Sequence, residues 1–151
     1  MKRKKRQTAF VIPDQHFPLH DQRAVNVVKQ AILVVKPDLF INLGDVGEWE
    51  SVSHWRWRKK KRPPLEYLLP DIDKEIKAVN DGIDQIDLML DKVGCDTRYI
   101  LAGNHDEWLD GFVESHPYLT GYTFKRACRW EERGYDYLPF NKPLRMGKLV
   151  M

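Results

Sequence analysis

Apolar residues in the first part of the chain form two short, nearly uninterrupted segments. Between these segments, apolar residues recur with helical spacing. Residues 9–13 and 39–43 are short, mostly apolar runs that include β-branched side chains, the composition of buried strands. Between them, apolar residues recur at positions 24, 27, 28, 31, 32 and 35, one face of a helix that must end before Pro37. The pattern therefore predicts a strand, a helix and a second strand.

The next segment has no regular period until residue 71. Residues 48–64 are polar, aromatic and basic, so we interpret them as a long loop. From Asp71, a candidate N-cap, apolar side chains recur in steps of three and four up to residue 93, which predicts a long amphipathic helix. Residues 98–102 read as a third strand, and the helical connection before it predicts that this strand also lies parallel.

The last third of the chain is less regular. A short helix is predicted around residues 108–113, and a further helix over residues 118–131. Residues 135–138 and 143–151 have the composition of sheet segments, and the second of these folds back around Gly147. Together the elements predict the α/β fold class, with helices flanking a parallel sheet.

Length and composition predict a single folded domain. A chain of 151 residues with 42% hydrophobic residues can bury one core of ordinary size but not two. Charged residues make up 31% of the chain, which implies a well-solvated surface. We place the domain at residues 9–151 and interpret residues 1–8 as a basic, disordered tail.

The net charge of +3 conceals an uneven distribution of basic residues. Five Lys or Arg residues occupy positions 2–6 and six occupy positions 56–62, which together are 11 of the 25 in the chain. The remaining 14 face 22 acidic residues, so the body of the domain is acidic. An acidic body suits the binding of cations, whereas the two basic runs suit contact with a polyanion.

Cysteine content and hydropathy point to a reducing compartment. Cys95 and Cys128 match neither a zinc-binding motif nor a disulfide framework, so we expect reduced thiols. The basic N-terminus lacks the apolar stretch of a secretory signal, and no apolar run approaches the length of a membrane span. We therefore expect a cytoplasmic protein without a membrane partner, whose oligomeric state the sequence leaves open.

Polar clusters follow each of the three predicted strands. The first strand leads into Asp14 and His16, the second into Gly44 and Asp45, and the third into residues 103–106. The carboxyl ends of parallel strands meet at one edge of a sheet, where ligands bind. Each cluster alone also fits an ordinary turn or helix cap, since Asp, Asn and Gly are typical of both. Their coincidence at three consecutive strand ends favours a shared functional site.

The donor types in these clusters suit a divalent metal. Carboxylate, imidazole and amide oxygen are ligands for manganese, iron or zinc, and no thiolate is offered. Asp14 and His16 stand two residues apart, so in an extended segment both side chains point the same way and can hold one ion. Asp45 enters from the neighbouring strand, where its two oxygens can bridge a pair of ions, and Asn104 would reach the second ion.

The ordered set Asp-x-His, Gly-Asp and Gly-Asn-His-Asp resembles the first part of the signature of calcineurin-like metallophosphoesterases. The resemblance covers nearly the whole chain, and residues 12–21 together with the bulky segment after Asp45 look like phage-encoded members. It implies a calcineurin-like sandwich of parallel strands with flanking helices. It also implies metal-dependent hydrolysis of a phosphate ester, either a phosphomonoester or a phosphodiester. Nucleotides and nucleic acids are the candidate substrates. If the protein is phage-encoded, its expected location is the host cytoplasm.

The resemblance assigns metal-binding roles to four matched residues. It implies that Asp14 and His16 bind the first metal, that Asp45 bridges both metals and that Asn104 binds the second. The implied cofactor is one or two divalent ions, with manganese favoured over iron and zinc. In this mechanism a metal-bound hydroxide attacks phosphorus in line while the metals neutralise charge on the phosphoryl oxygens.

The resemblance also implies catalytic residues on the third loop. His105 would protonate or stabilise the leaving oxygen, and Asp106 would orient His105. The later family motifs, His-Gly and Gly-His-x-His, do not occur, so we expect a C-terminally truncated domain with weak or single-metal occupancy and low turnover. His20, His54 and His116 are alternative ligands, although each also fits a solvated or capping histidine.

The segment after Asp45 carries candidate contacts to nucleic acid, because tryptophans stack on bases and basic side chains bind phosphates. The predicted contacts are Trp55, Arg56, Trp57, Arg58, Lys59 and Lys60. The alternative is a solvated loop whose tryptophans pack back onto the domain. A rival hypothesis for the whole chain is a non-catalytic fragment that keeps the fold and binds nucleic acid or a protein. A Rossmann-type nucleotide binder is disfavoured, since no Gly-x-Gly-x-x-Gly follows the first strand.

Overall fold

The computed structural model describes residues 7–151 and contains a sheet of four parallel strands. The strands lie side by side in chain order, as β1 Ala9–Ile12, β2 Leu39–Asn42, β3 Thr97–Leu101 and β4 Tyr135–Leu138. The predicted α/β class, the four strands and the parallel direction of the first three are confirmed. The basic residues at positions 2–6 lie outside the described part of the chain, so the prediction of a disordered tail stays untested there.

The helices pack against one face of this sheet. The long ones are α1 Gln22–Val35, α3 Leu65–Val93 and α4 Asn104–Glu114, and the short ones are α2 His54–Trp57, α5 Phe124–Ala127 and a 3₁₀ helix at Pro117–Tyr122. Ile12, Phe40 and Ile100 of the sheet share the main core with Ile32 and Ile83 of the helices. Among the described helices, none combines the length and the apolar composition that a membrane span requires.

Helix α1 buries a face that is shifted from the predicted one and shares Val28 and Ile32 with it. Val25 and Ile32 are buried, whereas Ala24, Val27 and Val35 of the predicted face are exposed. Apolar residues lie on nearly every side of this helix, so their spacing is compatible with more than one buried face. Packing against α3 and the sheet selects the face that is buried.

Helix α3 begins at Leu65, so the prediction that it starts at an Asp71 N-cap is wrong. Pro70 lies inside the helix, where its ring removes one intrahelical hydrogen bond. Leu68 is almost completely buried in the main core, and Ile72 continues the same face one turn later. Burial of these side chains offsets the cost of the proline. Local helix propensity, taken alone, predicts a helix boundary at Pro70.

The predicted continuous helix over residues 118–131 is also wrong. The chain instead forms the 3₁₀ helix, the single turn of α5 and a series of turns before β4. Thr123 has an extended backbone between the two short helices, and Phe124 N–H donates to Asp110 Oδ1 at 2.7 Å. Phe124 and Trp130 are both fully buried. Burial of these two rings in the core, and not helical periodicity, therefore determines the conformation of the segment.

Two further predictions concern the segments on either side of α3. The loop predicted at residues 48–64 contains the single turn of α2 and is otherwise irregular. The short helix predicted around residues 108–113 is present as α4, but it begins at Asn104. The candidate residues Asn104 and His105 therefore occupy the first turn of a helix.

The second face of the sheet carries a smaller core. Leu39, Ile41 and Leu101 pack there with Leu144, which precedes a hairpin formed by β5 Arg145–Met146 and β6 Leu149–Val150. The hairpin turns at Gly147, which has a φ of 64°. A left-handed conformation at the turn is easiest for glycine, so the predicted fold-back around Gly147 is confirmed.

Candidate metal centre

The loops that follow β1 and β2 are joined by backbone hydrogen bonds at the carboxyl edge of the sheet. Asp14 N–H donates to the carbonyl of Gly44 at 3.1 Å, and His16 N–H donates to that of Asp45 at 3.0 Å. The parallel pairing continues to Phe17, beyond the strands themselves. The two loops therefore lie side by side and place Asp14, His16 and Asp45 on one edge.

Three of the predicted ligands have left-handed backbone conformations. The angle φ is 55° at Asp14, 51° at His16 and 51° at Asp45. The expected extended conformation of this segment is wrong, because the loop coils at both residues, but the donor atoms of Asp14 and His16 still lie within 4.8 Å of each other. Such conformations cost roughly 1–3 kcal/mol each and cluster at functional sites, where surrounding contacts maintain them.

Two glycines allow the second and third loops to touch. Gly44 has a φ of 96°, and a Cβ atom there would overlap the backbone of Gly103. A Cβ atom on Gly103 would overlap Asp45. The close approach lets His105 N–H donate to Asp45 Oδ1 at 2.8 Å. This hydrogen bond holds the Asp45 carboxylate against the first turn of α4.

Asp14, His16 and Asp45 form one group of possible metal ligands. Each offers a side-chain atom, and these atoms lie within 4.8 Å of one another. Asp14 is exposed and the other two are half-buried, so the group is open to solvent on one side. Within residues 7–151, no Lys or Arg side chain forms a salt bridge with either carboxylate. Two neighbouring carboxylates without a basic partner favour a cation between them.

Asn104 lies beside this group on the first turn of α4. Its side-chain amide is 3.2 Å from Asp45 Oδ2. With the amide nitrogen on that side, Asn104 donates to the carboxylate. With the oxygen on that side, two acceptors face each other, an arrangement that a shared cation stabilises. The four predicted ligands are therefore neighbours, and their role in binding metal stays a prediction.

Glu48 is a further side chain at the site that the sequence analysis missed. Its Oε2 lies 2.9 Å from His16 Nδ1 and 3.8 Å from His105 Nδ1, and the three residues form a second group of possible ligands. The contact with His16 is close but outside hydrogen-bond geometry, so His16 Nδ1 is buried without a hydrogen-bond partner among the described residues. The sequence does not indicate which of Glu48 and Glu50 reaches the site. The conformation of the loop places Glu48 there.

His105 lies between the predicted ligands and an aromatic wall. Its Nδ1 is 3.2 Å from the backbone carbonyl of Glu48. A carbonyl oxygen only accepts, so this hydrogen bond places a proton on Nδ1 and leaves Nε2 for another partner. The imidazole stacks on Trp108 with ring centroids 3.9 Å apart and meets the ring of His16 edge-on at 4.7 Å. These contacts fix the plane of the imidazole.

Asp106 is fully buried, and its hydrogen bonds join the second and third loops. The carboxylate accepts from Trp49 Nε1 at 2.9 Å, from Gly103 N–H at 3.0 Å and from Gly47 N–H at 3.4 Å. Burial raises the pKa of this carboxyl to about 7, against the lowering effect of these hydrogen bonds. The described hydrogen bonds of Asp106 reach the loops and not the imidazole of His105, so any orienting effect on His105 acts through the first turn of α4.

A buried pair, Asn42 and Gln15, supports the first two loops. Asn42 Nδ2 donates to Gln15 Oε1 at 2.7 Å, and Asn42 Oδ1 accepts from Gly44 N–H at 3.0 Å. The sequence signal for this pair is an asparagine near the end of an otherwise apolar strand. Both side chains position the loops that carry the predicted ligands.

The two tryptophans of the predicted nucleic-acid contacts have different surroundings. Trp55 is 60% exposed. Trp57 packs against the main core, and its Nε1 donates to the carbonyl of Ser51 at 2.8 Å. Trp57 therefore packs onto the domain, as the alternative interpretation of this segment predicts. Of the two tryptophans, only Trp55 presents its ring to solvent.

The basic residues of the same segment are exposed. Arg56 lies 3.7 Å from Glu50, and the guanidinium carbon of Arg58 lies 5.9 Å from the centre of the Trp55 ring. Lys59 and Lys60 also face solvent. Their positive charge is available to a polyanion, and contact with nucleic acid stays a prediction.

The three histidines considered as alternative ligands lie outside both ligand groups. His20 Nε2 is 2.9 Å from Gln22 Oε1, and His116 Nδ1 is 2.8 Å from the carbonyl of Phe112. His54 is exposed at the start of α2. Among the described residues, none of the three joins a cluster that could hold a metal.

Comparisons of the chain with models of protein families, with curated proteins and with solved structures give no match. The fold is therefore stated at the level of an α/β domain with a four-stranded parallel sheet and flanking helices. The calcineurin-like fold stays a prediction from the strand-end motifs.

Proposed function

We propose that this chain is a metal-dependent phosphoesterase of the calcineurin-like type. The observation that supports it best is the group of Asp14, His16 and Asp45, whose donor atoms lie within 4.8 Å of one another at the carboxyl edge of a parallel sheet. Three protein donors on two adjacent loops, open on one side, meet the requirements of a catalytic metal site with free positions. The order of the motifs along the chain supports the same assignment.

The donor set fits a hard or borderline divalent cation. Asp14, His16 and Asp45 would hold a first ion, and Asp45 with Asn104 would contribute to a second. Carboxylate and imidazole suit manganese, iron and zinc, of which manganese is our preferred candidate. A bound cation of this kind polarises phosphoryl oxygens and lowers the pKa of a coordinated water.

His105 is the residue that we propose for proton transfer. Its Nδ1 is occupied by the carbonyl of Glu48, so Nε2 is the nitrogen available to a substrate. From that position a protonated imidazole can donate to the leaving oxygen of an ester or to a phosphoryl oxygen. Stacking on Trp108 keeps the ring in one plane, which fixes the direction of the donor.

The surroundings of the site favour an ester with a sizeable organic group. A cavity of about 500 Å³ adjoins Asp45 and Asn104, and Leu43, Phe140 and Met151 are among its walls. Cavities of this size accept the body of a small-molecule substrate. We propose a phosphomonoester or phosphodiester as substrate, and the exposed Trp55 with its basic neighbours favours a nucleotide or a nucleic acid.

Hydrolysis of p-nitrophenyl phosphate and bis(p-nitrophenyl) phosphate tests the proposal. We expect nitrophenolate release from at least one ester when Mn²⁺ is added, and none in EDTA. His105→Ala should lower kcat by about 100-fold or more, since general acid catalysis contributes at least this factor. His116→Ala is the matched control, because that imidazole is bonded to the carbonyl of Phe112, and it should retain the rate.

The rival hypothesis, a chain that keeps the fold and only binds nucleic acid or a protein, predicts a different outcome. Such a binding module would be indifferent both to Mn²⁺ and to His105→Ala. A folded protein, verified by circular dichroism, that hydrolyses neither ester at any Mn²⁺ concentration would contradict our proposal.

A further inference from the structure

A second pocket lies between the segment at residues 52–62 and helix α4. It has a volume of about 180 Å³, and its walls include the rings of His54, Trp108 and Phe112 and the side chain of Arg62. Among its described lining residues there is no Asp or Glu. The volume corresponds to roughly six water molecules at about 30 Å³ each, which is enough for a phosphate group and too little for a nucleotide.

Arg62 brings an uncompensated positive charge to this pocket. Its Nη2 donates to the carbonyl of Val52 at 3.0 Å, and its guanidinium carbon lies 5.5 Å from the centre of the Phe112 ring. A guanidinium has five N–H donors, and this is its one hydrogen bond among the described residues. No described carboxylate lies within salt-bridge distance of it. A half-buried cation without a counter-ion favours binding of an anion.

Trp108 connects the pocket to the candidate metal centre. Its indole stacks on His105 at 3.9 Å and contacts the ring of His54 edge-on at 5.4 Å. His54 in turn contacts the exposed Trp55, with ring centroids 4.6 Å apart. An aromatic surface therefore runs from His105 to Trp55, with Arg62 beside it.

We propose that this pocket binds a second phosphate of a single-stranded nucleic acid whose neighbouring phosphodiester lies at the metal centre. The inference builds on the proposed function, since it takes that centre as the position of the scissile ester. Arg62 would contact the second phosphate, His54 would line its binding site, and the part of the Trp108 indole that His105 leaves uncovered would contact the base between the two phosphates. This assigns positions to Arg62, His54 and Trp108 in substrate binding.

The aromatic surface favours a nucleic acid over free phosphate as the source of the anion. Stacking on an aromatic side chain contributes about 1–3 kcal/mol per base in single-strand binding, and inorganic phosphate makes no such contact. The exposed Arg58, Lys59 and Lys60 extend the positive surface beyond the pocket. A strand that continues past the second phosphate would meet these residues next.

Binding of thymidine dinucleotides tests the proposal without requiring turnover. The ligands are the dinucleotide without a terminal phosphate, with a 5′-phosphate and with a 3′-phosphate, titrated by tryptophan fluorescence with Ca²⁺ in place of Mn²⁺. We expect one of the two phosphorylated forms to bind about tenfold more tightly than the unphosphorylated one, as a charge-assisted contact requires. Arg62→Gln should remove this increment, and Arg129→Gln, the same change at an exposed arginine in the turn after α5, should preserve it.

The outcomes separate this inference from the proposed function. No increment from either terminal phosphate, or an increment that survives Arg62→Gln, would overturn the second-phosphate site. If Arg62→Gln does not fold, His54→Gln at an exposed position provides the same test, with an expected reduction of the increment by a factor of about three or more. Inorganic phosphate that binds as tightly as the phosphorylated dinucleotide would overturn the nucleic-acid assignment. An increment without any Mn²⁺-dependent hydrolysis would refute the proposed function and support the binding site.

Discussion

The two ends of the sheet both gather charged side chains, but they use them in opposite ways. At the amino end, Arg98 and Arg133 are almost completely buried, and both pair with Asp87. At the carboxyl end, Asp14 and Asp45 have no basic partner among the described residues. A buried charge cluster that is neutralised by its own side chains is costly to break, whereas neighbouring carboxylates without a basic partner favour a cation from outside the chain.

The amino-end network is rich in hydrogen bonds. Arg133 contacts Asp87 and Asp84 at 2.6 Å each and donates to Asn80 Oδ1 at 2.8 Å. Tyr135 Oη donates to Asp87 at 2.8 Å, and burial raises the pKa of that carboxyl above its ordinary value. The network ties α3 to the start of β4, so its function is structural.

The carboxyl end is built differently because it has strained backbone where the amino end has paired charge. Asp14, His16 and Asp45 adopt left-handed conformations, and Gly44 touches Gly103. These features cost stability and bring possible metal ligands together. The comparison therefore separates charges that hold the fold from charges that serve binding, and the predictions below test this separation.

The largest expected effect is on stability, from Asp87→Ala at the amino end. The side chains of Arg98 and Arg133 are only 7% and 8% exposed, and the variant removes a counter-ion that both share. We therefore expect the free energy of unfolding to fall by about 3–5 kcal/mol. Urea denaturation measures the change. Asp84→Ala, at a partner of Arg133 that is 57% exposed, should cost less than about 1 kcal/mol. Equal losses from the two variants would contradict the assignment of a structural network.

Asp45→Ala at the carboxyl end should show the converse pattern. We expect kcat/KM for bis(p-nitrophenyl) phosphate with Mn²⁺ to fall by more than about 100-fold, beyond the effect of removing a residue that only supports a ligand. The free energy of unfolding in EDTA should fall by no more than about 2 kcal/mol, because relief of the repulsion between Asp14 and Asp45 partly offsets loss of the hydrogen bond from His105 N–H. A variant that loses stability and keeps its activity would show that the carboxyl end is also structural.

Gly103→Ala tests whether the contact between the second and third loops is required. A methyl group at this position overlaps Asp45, so we expect a loss of about 1–3 kcal/mol in stability together with weaker Mn²⁺ binding, measured by calorimetry. Gly111→Ala is the matched control in the same helix, because nothing lies within 4 Å of its added Cβ atom. That change should stabilise the protein by roughly 0.5–1 kcal/mol through helix propensity. Tolerance of alanine at Gly103 would refute the close approach.

The last prediction concerns the pH dependence of stability in EDTA. Asp106 has a pKa raised from an ordinary 3.8 to about 7. Between these values the folded chain retains a proton that the unfolded chain has released, so the free energy of unfolding falls as pH rises through this window. The slope is at most about 1.4 kcal/mol per pH unit. Asp106→Asn should remove this slope, whereas Asp136→Asn at an exposed position of β4 should retain it. An identical pH profile for all three proteins would refute the raised pKa.

Much of the sheet could be predicted from the sequence, whereas helix boundaries could not. The four strands are short, mostly apolar runs, and this composition is a local property. The start of α3 was missed because burial of Leu68 outweighs the local effect of Pro70. The buried face of α1 was misassigned because Val25 and Val27 are equally apolar, and only contact with the sheet distinguishes them.

At the candidate site, the sequence alone identified side chains at the ends of strands and could not identify those that approach from the middle of a loop. Asp14, His16, Asp45 and Asn104 follow predicted strands directly, and parallel pairing brings such positions to one edge. Glu48 lies beside His16 because of the conformation of its loop, and the sequence has no periodic pattern that predicts this conformation.

The class of fold, the edge of the sheet that carries the polar clusters and the kinds of metal ligand found there could be predicted, because each depends on residues close together in the chain. Which charges are neutralised, and which have no partner within residues 7–151, depends on tertiary packing. Neutralisation depends on distances between side chains far apart in sequence, as in the pairing of Arg133 with Asp87 and the lack of a described carboxylate beside Arg62. Those distances are set by how helices and loops pack on the sheet.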